Sequence, residues 1–378
     1  MEIKTIPLAE DRLNESHYIA SYWKKMFIEA QKKSASDIHI EPNEPEKGKM
    51  AIRFGLMNSL VTYDVLEDTE NIPSYLTKIE LICGIDVTQK NVKQDKSIDI
   101  PSLKSRYRVS YGPPTSFDPE SLVFRVIDEK AIPDLKDCHL PKTFSDDLHN
   151  FLGLEQGLFI TTGGTGSGKS TTCQASLMSF DRERRKVISL EDPMERSLPW
   201  VRGYEISPSF TWEDGISVMM RQKPSVCFIG EIRDSASGFA ALEAANKGHL
   251  VITTLHANSV SDTFKQLIKK FKFDYLDIES VTLCAAQRLV PMLCSHCKIQ
   301  NQDSGLFTQG AGCETCYQKV PGLKGLRPIF EHCYKPTSED VEEYRRTKHF
   351  PVKSTLKREL KGLINLGLAD YRIENIYG

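Results

Sequence analysis

The sequence predicts an α/β protein in which an N-terminal α+β domain precedes a larger domain with a parallel sheet. The main observation is a series of four short apolar runs, "GLFITTG", "KVISLED", "SVCFIGE" and "HLVITTL", between residues 157 and 255. Such strands are typical of a parallel sheet covered by helices on both faces. Strands in the first 130 residues instead alternate or are rich in β-formers. We expect domains over 1–130 and 144–378, joined by a linker over 131–143 that contains two prolines.

Helical spacing of apolar residues predicts the first helix of the N-terminal domain, over residues 16–33. Three strands follow, and a helix over 72–84 is expected to end at Gly84. Two more strands flank a loop rich in Pro, Ser and Asp. These elements predict an antiparallel sheet, with strands over residues 36–42, 49–55, 59–65, 106–112 and 121–128.

Capping residues mark two helices of the second domain. Thr211 and Asp214 match a capping box, and Asp234 is a good N-cap for an alanine-rich helix. A Cys-rich and Gly-rich insert is expected over residues 290–330, and the tail 334–378 contains the helical run "STLKRELKGLINLGL".

Composition narrows the class of protein. The chain is 40% hydrophobic and 26% charged with a net charge of -2, which suits a globular protein and does not favour bulk attraction to nucleic acid. No apolar run is long enough to cross a membrane, and the N-terminus lacks the order of a signal peptide. We therefore expect a cytoplasmic protein that reaches a membrane only through a partner, with no direct nucleic-acid ligand.

A glycine-rich loop follows the first apolar strand and opens a helix. It fits the P-loop pattern G-x-x-x-x-G-K-[ST], in which backbone N–H groups and the helix N-terminus hold phosphates. In that pattern Lys169 contacts the β- and γ-phosphates and Ser170 binds Mg²⁺. The predicted ATP-binding residues are Gly163, Gly164, Thr165, Gly166, Ser167, Gly168, Lys169, Ser170 and Thr171.

Acidic residues and histidines end the neighbouring strands. Glu231 follows "VCFIG", and Glu191 with Asp192 ends "KVISL". A P-loop beside two acidic strand ends fits a site with a metal-side carboxylate and a water-orienting base. His249 and His256 bracket the fourth strand, where histidines can respond to the γ-phosphate.

Four cysteines predict a metal site. Cys294, Cys297, Cys313 and Cys316 form the spacing C-x₂-C-x₁₅-C-x₂-C, which is typical of a four-thiolate zinc site. A closed shell of four thiolates leaves no open position, so the zinc is expected to be structural.

Together these motifs resemble the secretion-type ATPases, the hexameric motors of type II secretion, type IV pilus assembly and competence pseudopilus assembly. The resemblance covers residues 34–331. "SASDIHIEP" resembles the family's N-terminal signature, "GGTGSGKSTT" its Walker A, "VISLEDPMER" its Asp box, "GEIRD" its Walker B end and "GHLVITTLHAN" its His box. "AAQRLVPMLCSHC" and "GCETC" resemble its segment with two cysteine pairs. The tetracysteine pattern and the short N-terminal part are most like the competence pseudopilus ATPase of Gram-positive bacteria.

The resemblance implies a fold and residue roles. It implies a PAS-like N-terminal domain joined flexibly to a RecA-like domain, and a homohexamer that acts on an integral-membrane platform protein at the cytoplasmic face. Glu231 would be the general base, and Glu191 would lie near Mg²⁺ and the attacking water. The remaining residues that it places at the nucleotide are His249, His256, Arg108 and Arg125.

The chain departs from the family pattern at several positions. Ser217 replaces an expected arginine, Ser225 replaces an aspartate, and Gly164 replaces the usual proline in the loop. These changes leave open a regulatory scaffold that binds nucleotide and hardly hydrolyses it. A pilus retraction motor is a second alternative, which the tetracysteine pattern opposes. A nucleic-acid motor is a third, and the insert's near lack of basic residues disfavours it.

Overall fold

A computed structural model describes residues 9–43, 48–57, 59–115, 119–128, 132–194, 196–316 and 320–375. The chain divides into two units. The first comprises residues 1–131 and 311–324, and the second comprises residues 132–310 and 325–378. Of the predicted linker, Ala131 lies outside the described residues, and a helix begins at Lys142.

Helices and one antiparallel sheet build the first unit. The elements are α1 (Ala9–Leu13), α2 (Tyr18–Lys33), β1 (Asp37–Pro42), β2 (Met50–Leu56), β3 (Ser59–Leu66), α3 (Ile72–Cys83), β4 (Gln94–Ile100), β5 (Ser105–Gly112) and β6 (Ser121–Asp128). The strand order is β3-β2-β1-β6-β5-β4, and its paired strands run antiparallel. Trp23 and Phe27 of α2 are fully buried, and Phe27 packs on Tyr107 and Phe124 of the sheet.

The predictions for this unit are confirmed except for two omissions. The five predicted strands and both helices are present, and α3 ends at Gly84 in the left-handed region. The sequence did not predict α1 or β4. Strand β4 is the polar segment "QDKSIDI" at a sheet edge, where only Ile98 and Ile100 are buried.

A longer series of elements builds the second unit and its insert. They are α4 (Lys142–Leu152), β7 (Gly157–Thr162), α5 (Lys169–Met178), β8 (Val187–Glu191), β9 (Arg202–Glu205), α6 (Trp212–Arg221), β10 (Val226–Ile229), α7 (Ser235–Asn246), β11 (Leu250–Leu255), α8 (Val260–Lys269), α9 (Tyr275–Glu279), β12 (Val281–Leu293), β13 (Ile299–Gln300), β14 (Phe307–Thr308), β15 (Leu323–Tyr334), α10 (Ser338–Thr347) and α11 (Leu356–Asn365). The predicted capping box at Thr211 and N-cap at Asp234 are both present.

The main sheet of the second unit has the order β15-β12-β7-β11-β10-β8-β9. The four predicted strands are its centre, and they pair in parallel. Every residue of β8, β10 and β11 is buried, because apolar clusters cover both faces of the sheet. The sequence did not predict β9, β12 or β15.

Parallel pairing brings the ends of these strands to one edge. Thr162 of β7 lies opposite Leu255 of β11, and Ile229 of β10 lies opposite Leu190 of β8. The residues that follow these strands therefore meet at the carboxyl edge of the sheet, where ligands bind in open α/β sheets.

The described part of the chain contains no helix with both the length and the apolar composition required to cross a membrane.

Candidate functional site

The glycine loop joins β7 to α5 and packs closely against β12. Gly163, Gly166 and Gly168 have φ of 156°, 74° and 90°. A Cβ at Gly163 would lie 2.6 Å from the Gln287 carbonyl oxygen, and one at Gly168 would lie 2.7 Å from Gln287 Nε2. These two positions require glycine. A Cβ at Gly164 would meet nothing within 4 Å, so the surrounding space does not require glycine at this position.

Lys169 lies inside the curve of this loop. Its Nζ donates to the carbonyl oxygens of Gly163 at 2.8 Å and Gly164 at 3.0 Å, and the residue is 8% exposed. The Ser167 hydroxyl is buried and has no hydrogen-bond partner within the described residues. A buried ammonium, an unsatisfied hydroxyl and the N-terminus of α5 together fit the phosphates of a nucleotide. Ser170 and Thr171 are exposed on the first turn of α5.

Two residues of β12 that the sequence motifs did not place at the site, Gln287 and Arg288, lie directly beside Gly163 of the glycine loop. Gln287 of β12 is buried, and its Oε1 accepts from Thr172 Oγ1 of α5 at 3.0 Å. Arg288 donates to the Asn258 carbonyl oxygen at 2.9 Å, in the loop after β11. The sequence feature that could have identified these two residues is their position as a polar pair inside the apolar run "CAAQRLV".

Glu231 follows β10 and is held on both sides. Its Oε1 lies 3.0 Å from His256 Nε2, and its Oε2 accepts from Arg233 Nε at 2.6 Å. Arg233 also donates to the Asp192 carbonyl oxygen at 2.8 Å, which ties the ends of β8 and β10 together. The motif "GEIRD" by itself predicts no role for Arg233, because its partners come from two different strands.

Glu191 lies next to this group at the end of β8. It is buried, and a Cβ added at Gly230 would lie 3.2 Å from its Cγ. The close approach at Gly230 places the two predicted acids, Glu191 and Glu231, at adjacent strand ends. A site with one more buried and one more accessible carboxylate suits a metal ligand beside a base.

His256 links the loop to Glu231. Burial, followed by the positive charge of Lys169, lowers the pKa of His256, while Glu231 and a backbone hydrogen bond to Gly163 act in the opposite direction. The net lowering favours a neutral imidazole at neutral pH. His256 is therefore a hydrogen-bonding residue that contacts both the loop and the acid.

The structure does not bring His249 to this group. It precedes β11, and its Nδ1 lies 3.0 Å from the Pro224 carbonyl oxygen at the amino edge of the sheet. The six residues of β11 separate it from the loop, a distance of about 20 Å at the usual rise along a strand. The hydrogen bond to Pro224 gives His249 a structural role at the opposite edge of the sheet, so His249 is not part of the proposed nucleotide site.

Arg108 and Arg125 belong to the first unit. They lie directly opposite one another on β5 and β6, and Arg125 Nε is 3.5 Å from Asp37 Oδ1. Two neighbouring guanidinium groups with one carboxylate leave positive charge on this face of the sheet. Their role at the nucleotide stays a prediction.

The four predicted cysteines are close together, with sulfur atoms that all lie within 4.8 Å of one another. Cys313 Sγ and Cys316 Sγ are 3.8 Å apart, which matches the edge of about 3.8 Å of a tetrahedron with Zn–S bonds of about 2.3 Å. The backbone N–H groups of Cys313 and Gly322 donate to Cys316 Sγ at 3.3 and 3.2 Å. Such donors stabilise a thiolate, so the residues fit a structural zinc ion.

Comparisons with a family model and with individual proteins indicate the same family for this chain. Residues 12–369 match the family described as type II/IV secretion system protein. The chain is 32% identical over 324 residues to type II secretion system protein E of Klebsiella pneumoniae, which covers 81% of this chain and 63% of that protein. It is 30% identical over 345 residues to the type IV pilus assembly ATPase PilB of Acinetobacter baylyi, which covers 85% of this chain and 58% of that protein. The chain thus spans about three fifths of the length of these two relatives.

A solved structure shows the same fold. The X-ray structure of the Legionella pneumophila ATPase DotB superposes with a TM-score of 0.68 at 23% sequence identity and covers 96% of both chains. The α/β fold, with its parallel sheet and N-terminal α+β unit, is therefore that of these ATPases.

Proposed function

This chain belongs to the family of type II/IV secretion system proteins, and we propose that it hydrolyses ATP as a homohexameric motor that assembles a pilus-like fibre. The observation that carries the proposal is the position of Lys169 in the glycine loop and of Glu231, held by His256, at the same edge of the sheet. Lys169 supplies charge for phosphates, and Glu231 supplies a base for water. A site for phosphoryl transfer needs both.

The residues of the chain suggest a division of labour. Lys169 Nζ would exchange the carbonyl oxygens of Gly163 and Gly164 for the β- and γ-phosphates of ATP, and Ser167 would donate its free hydroxyl. Ser170 and Glu191 would hold Mg²⁺, which when bound supplies positive charge that stabilises the transferring phosphoryl group. Glu231 orients the attacking water and accepts its proton. His256 holds Glu231 towards the loop.

A single substitution tests the phosphate site. Lys169→Ala should abolish ATP hydrolysis, because the buried ammonium in the loop is lost. Lys247→Ala is a matched control, since Lys247 is exposed at the C-terminal cap of α7 and pairs locally with Glu243. Both variants are measured by phosphate release with Mg-ATP. Full turnover in Lys169→Ala would refute the site.

The resemblance and the cysteine cluster support finer points. We propose that Cys294, Cys297, Cys313 and Cys316 hold one structural zinc, and that the motor works at the cytoplasmic face of the membrane on an integral-membrane platform protein. The tetracysteine pattern favours an assembly motor over a retraction motor. Within that class, we propose the competence pseudopilus, with type II secretion as the alternative use of the same motor.

A regulatory scaffold is the second candidate function, and one feature favours it. Ser217 and Ser225 stand where the resemblance leads us to expect an arginine and an aspartate. If these two serines prevent ATP hydrolysis, the scaffold hypothesis expects a protein that binds ATP at normal affinity and does not turn it over. Measuring ATP binding by calorimetry beside phosphate release separates the scaffold from the motor.

A further inference from the structure

A pocket of about 370 Å³ lies in the first unit, where β3 ends and α3 begins. Tyr18 at the start of α2 and Tyr75 on α3 contribute aromatic rings, and Glu67 and Asp68 contribute carboxyl groups. The other lining residues are Val65, Leu66, Asn71 and Ile72. We call this site the tyrosine pocket. It uses none of the residues proposed for the nucleotide, so its ligand goes beyond the proposed function.

Neighbouring side chains fix the aromatic wall of the tyrosine pocket. The Tyr22 and Tyr75 ring centroids are 5.1 Å apart at an interplanar angle of 88°, and Trp23 Nε1 donates to the Tyr75 carbonyl oxygen at 3.0 Å. The Tyr18 ring lies 6.2 Å from the Tyr75 ring at 75°, and Tyr18 is 61% exposed. An exposed tyrosine ring attracts cations to its face, and it attracts the planar guanidinium group in particular.

The segment that forms the pocket carries negative charge. From residue 54 to residue 77 the sequence contains four acids and no Lys or Arg. Hydrogen bonds from the side chain and the backbone of Asn71 lower the pKa of Asp68, which keeps this carboxylate ionised. Glu67 lies 3.3 Å from Lys49, but its side chain is 72% exposed. An ion pair of so exposed a carboxylate is weak, so Glu67 can exchange Lys49 for the cation of a ligand.

Strand β3, which leads into the pocket, is an edge strand of its sheet. None of its eight described residues is buried, and Leu60 is 54% exposed. Its sequence, "SLVTYDVL", contains neither Lys nor Pro, which are the residues that commonly block pairing at an edge. Its one charged residue, Asp64, accepts from the Tyr22 hydroxyl at 2.8 Å. Such an edge can accept an added strand from another polypeptide.

We propose that β3 and the tyrosine pocket together bind an extended segment of a partner protein. The segment adds a strand to β3, and an arginine or lysine of the segment lies in the pocket against Tyr18, Glu67 and Asp68. Val65 and Leu66 belong to both the strand and the pocket lining, so a chain that runs along β3 reaches the pocket.

The two surfaces select the partner by different chemistry. Backbone pairing along β3 requires a polypeptide and gives affinity with little sequence preference. The pocket adds the preference for a cation, because it combines an aromatic face with carboxylates. Arginine should bind better than lysine, since its planar group can stack on Tyr18 and donate to a carboxylate at the same time.

The test uses the full chain and synthetic peptides with acetyl and amide ends. The main probe is a short peptide of alternating threonine and valine with an arginine at each end, so that either strand direction brings an arginine to the pocket. A second peptide has glutamate at each end. A third keeps the arginines and has a proline in its centre, which removes a backbone N–H group and prevents strand pairing. N-acetyl-arginine amide represents a small cation.

Two matched double variants isolate the pocket. The first, Tyr18→Leu with Glu67→Gln, removes one lining ring and one lining charge. The control, Tyr18→Phe with Glu70→Gln, keeps the ring and removes an exposed charge of the same turn that does not line the pocket. Calorimetry at fixed ionic strength gives the dissociation constants, and circular dichroism checks that each variant is folded.

The arginine peptide should bind wild type with a dissociation constant below about 1 mM. Tyr18→Leu with Glu67→Gln should raise that constant by about tenfold, since it removes a cation–π contact and an ion pair. The control should stay within about twofold of wild type. The glutamate peptide, the proline peptide and N-acetyl-arginine amide should each bind wild type at least about tenfold more weakly than the arginine peptide.

Several results would overturn the proposal. These are no binding of the arginine peptide at about 1 mM, equal binding by the two double variants, and equal binding of the glutamate or the proline peptide. Binding of N-acetyl-arginine amide as tight as that of the peptide would assign the pocket to a small cation instead. Sedimentation velocity without peptide tests a second copy of this chain as the occupant. Self-association that is lost in Tyr18→Leu with Glu67→Gln and kept in the control would assign the surface to that copy, against the proposal.

Discussion

Replacing Glu231 by Gln tests the proposed base. The amide keeps the shape of the carboxylate and an oxygen that can accept from His256 or Arg233, but it cannot accept a proton from water. Losing a positioned general base slows a reaction by about 100- to 10,000-fold, which raises the barrier by about 3–5 kcal/mol. We expect ATP turnover of Glu231→Gln to fall by this factor.

Binding and stability should change little in this variant. Lys169 and the glycine loop would hold the phosphates, whereas Glu231 would act on the attacking water, so the amide should leave the phosphate-binding groups in place. The Arg233 side chain is 55% exposed, so its ion pair with Glu231 is worth at most about 1 kcal/mol. That corresponds to a change in Tm of about 2–4 °C for a domain of this size. ATP affinity should stay within about threefold of wild type.

Phosphate release, calorimetric ATP binding and thermal unfolding measure the three quantities. Glu243→Gln is the matched control, because Glu243 is an exposed glutamate on α7 with a local lysine partner. Normal turnover in Glu231→Gln would refute the assignment and move the base to Glu191. A large loss of ATP affinity with intact Tm would instead give Glu231 a role in binding.

Other features give further expected outcomes. Purified protein should contain about one zinc per chain by elemental analysis, and Cys297→Ser should lose it; a folded, metal-free wild-type preparation would contradict the site. Gly163→Ala should lower ATP affinity, because the added Cβ would lie 2.6 Å from the Gln287 carbonyl oxygen; unchanged affinity by calorimetry would contradict the loop geometry. Burial lowers the pKa of His332, which lies 3.0 Å from Asp147 and is 1% exposed. The unfolded state then binds more protons as pH falls below about 6.5, so stability is lost on acidification, by up to about 1.4 kcal/mol per pH unit. Denaturant unfolding at pH 7.5 and 5.5 should show a smaller loss in His332→Asn; an equal loss would exclude His332 as the cause.

Local patterns predicted the centre of the fold correctly. The four apolar runs and the glycine loop carry their own signals, and parallel pairing follows from strands that are buried on both faces. Strand β12 was not predicted because Gln287, Arg288 and Pro291 interrupt its apolar character. Those polar residues are present because β12 borders the glycine loop and Gln287 bonds to Thr172. The polar residues that serve the site thus hide the apolar pattern from which β12 could have been predicted.

The two histidines show what a linear motif leaves undecided. His249 and His256 bracket one strand, and a strand has two ends that lie about 20 Å apart. Only the direction of β11 relative to β7 decides which histidine meets the loop, and the parallel register selects His256. Arg233 lies inside a recognised motif, but the motif does not indicate its contacts, because they join the residues that follow β8 and β10. Such a contact between strands depends on the strand order, which no single motif contains.

The most direct test of the motor is Mg-ATP hydrolysis per subunit, measured over a wide range of protein concentration. A motor whose site is completed between copies should show specific activity that rises steeply with concentration and then levels off, and Lys169→Ala should stay at background throughout. Specific activity that is the same at every concentration would contradict a shared site. Absence of turnover at all concentrations, with ATP bound normally, would contradict the motor and support the nucleotide-binding scaffold.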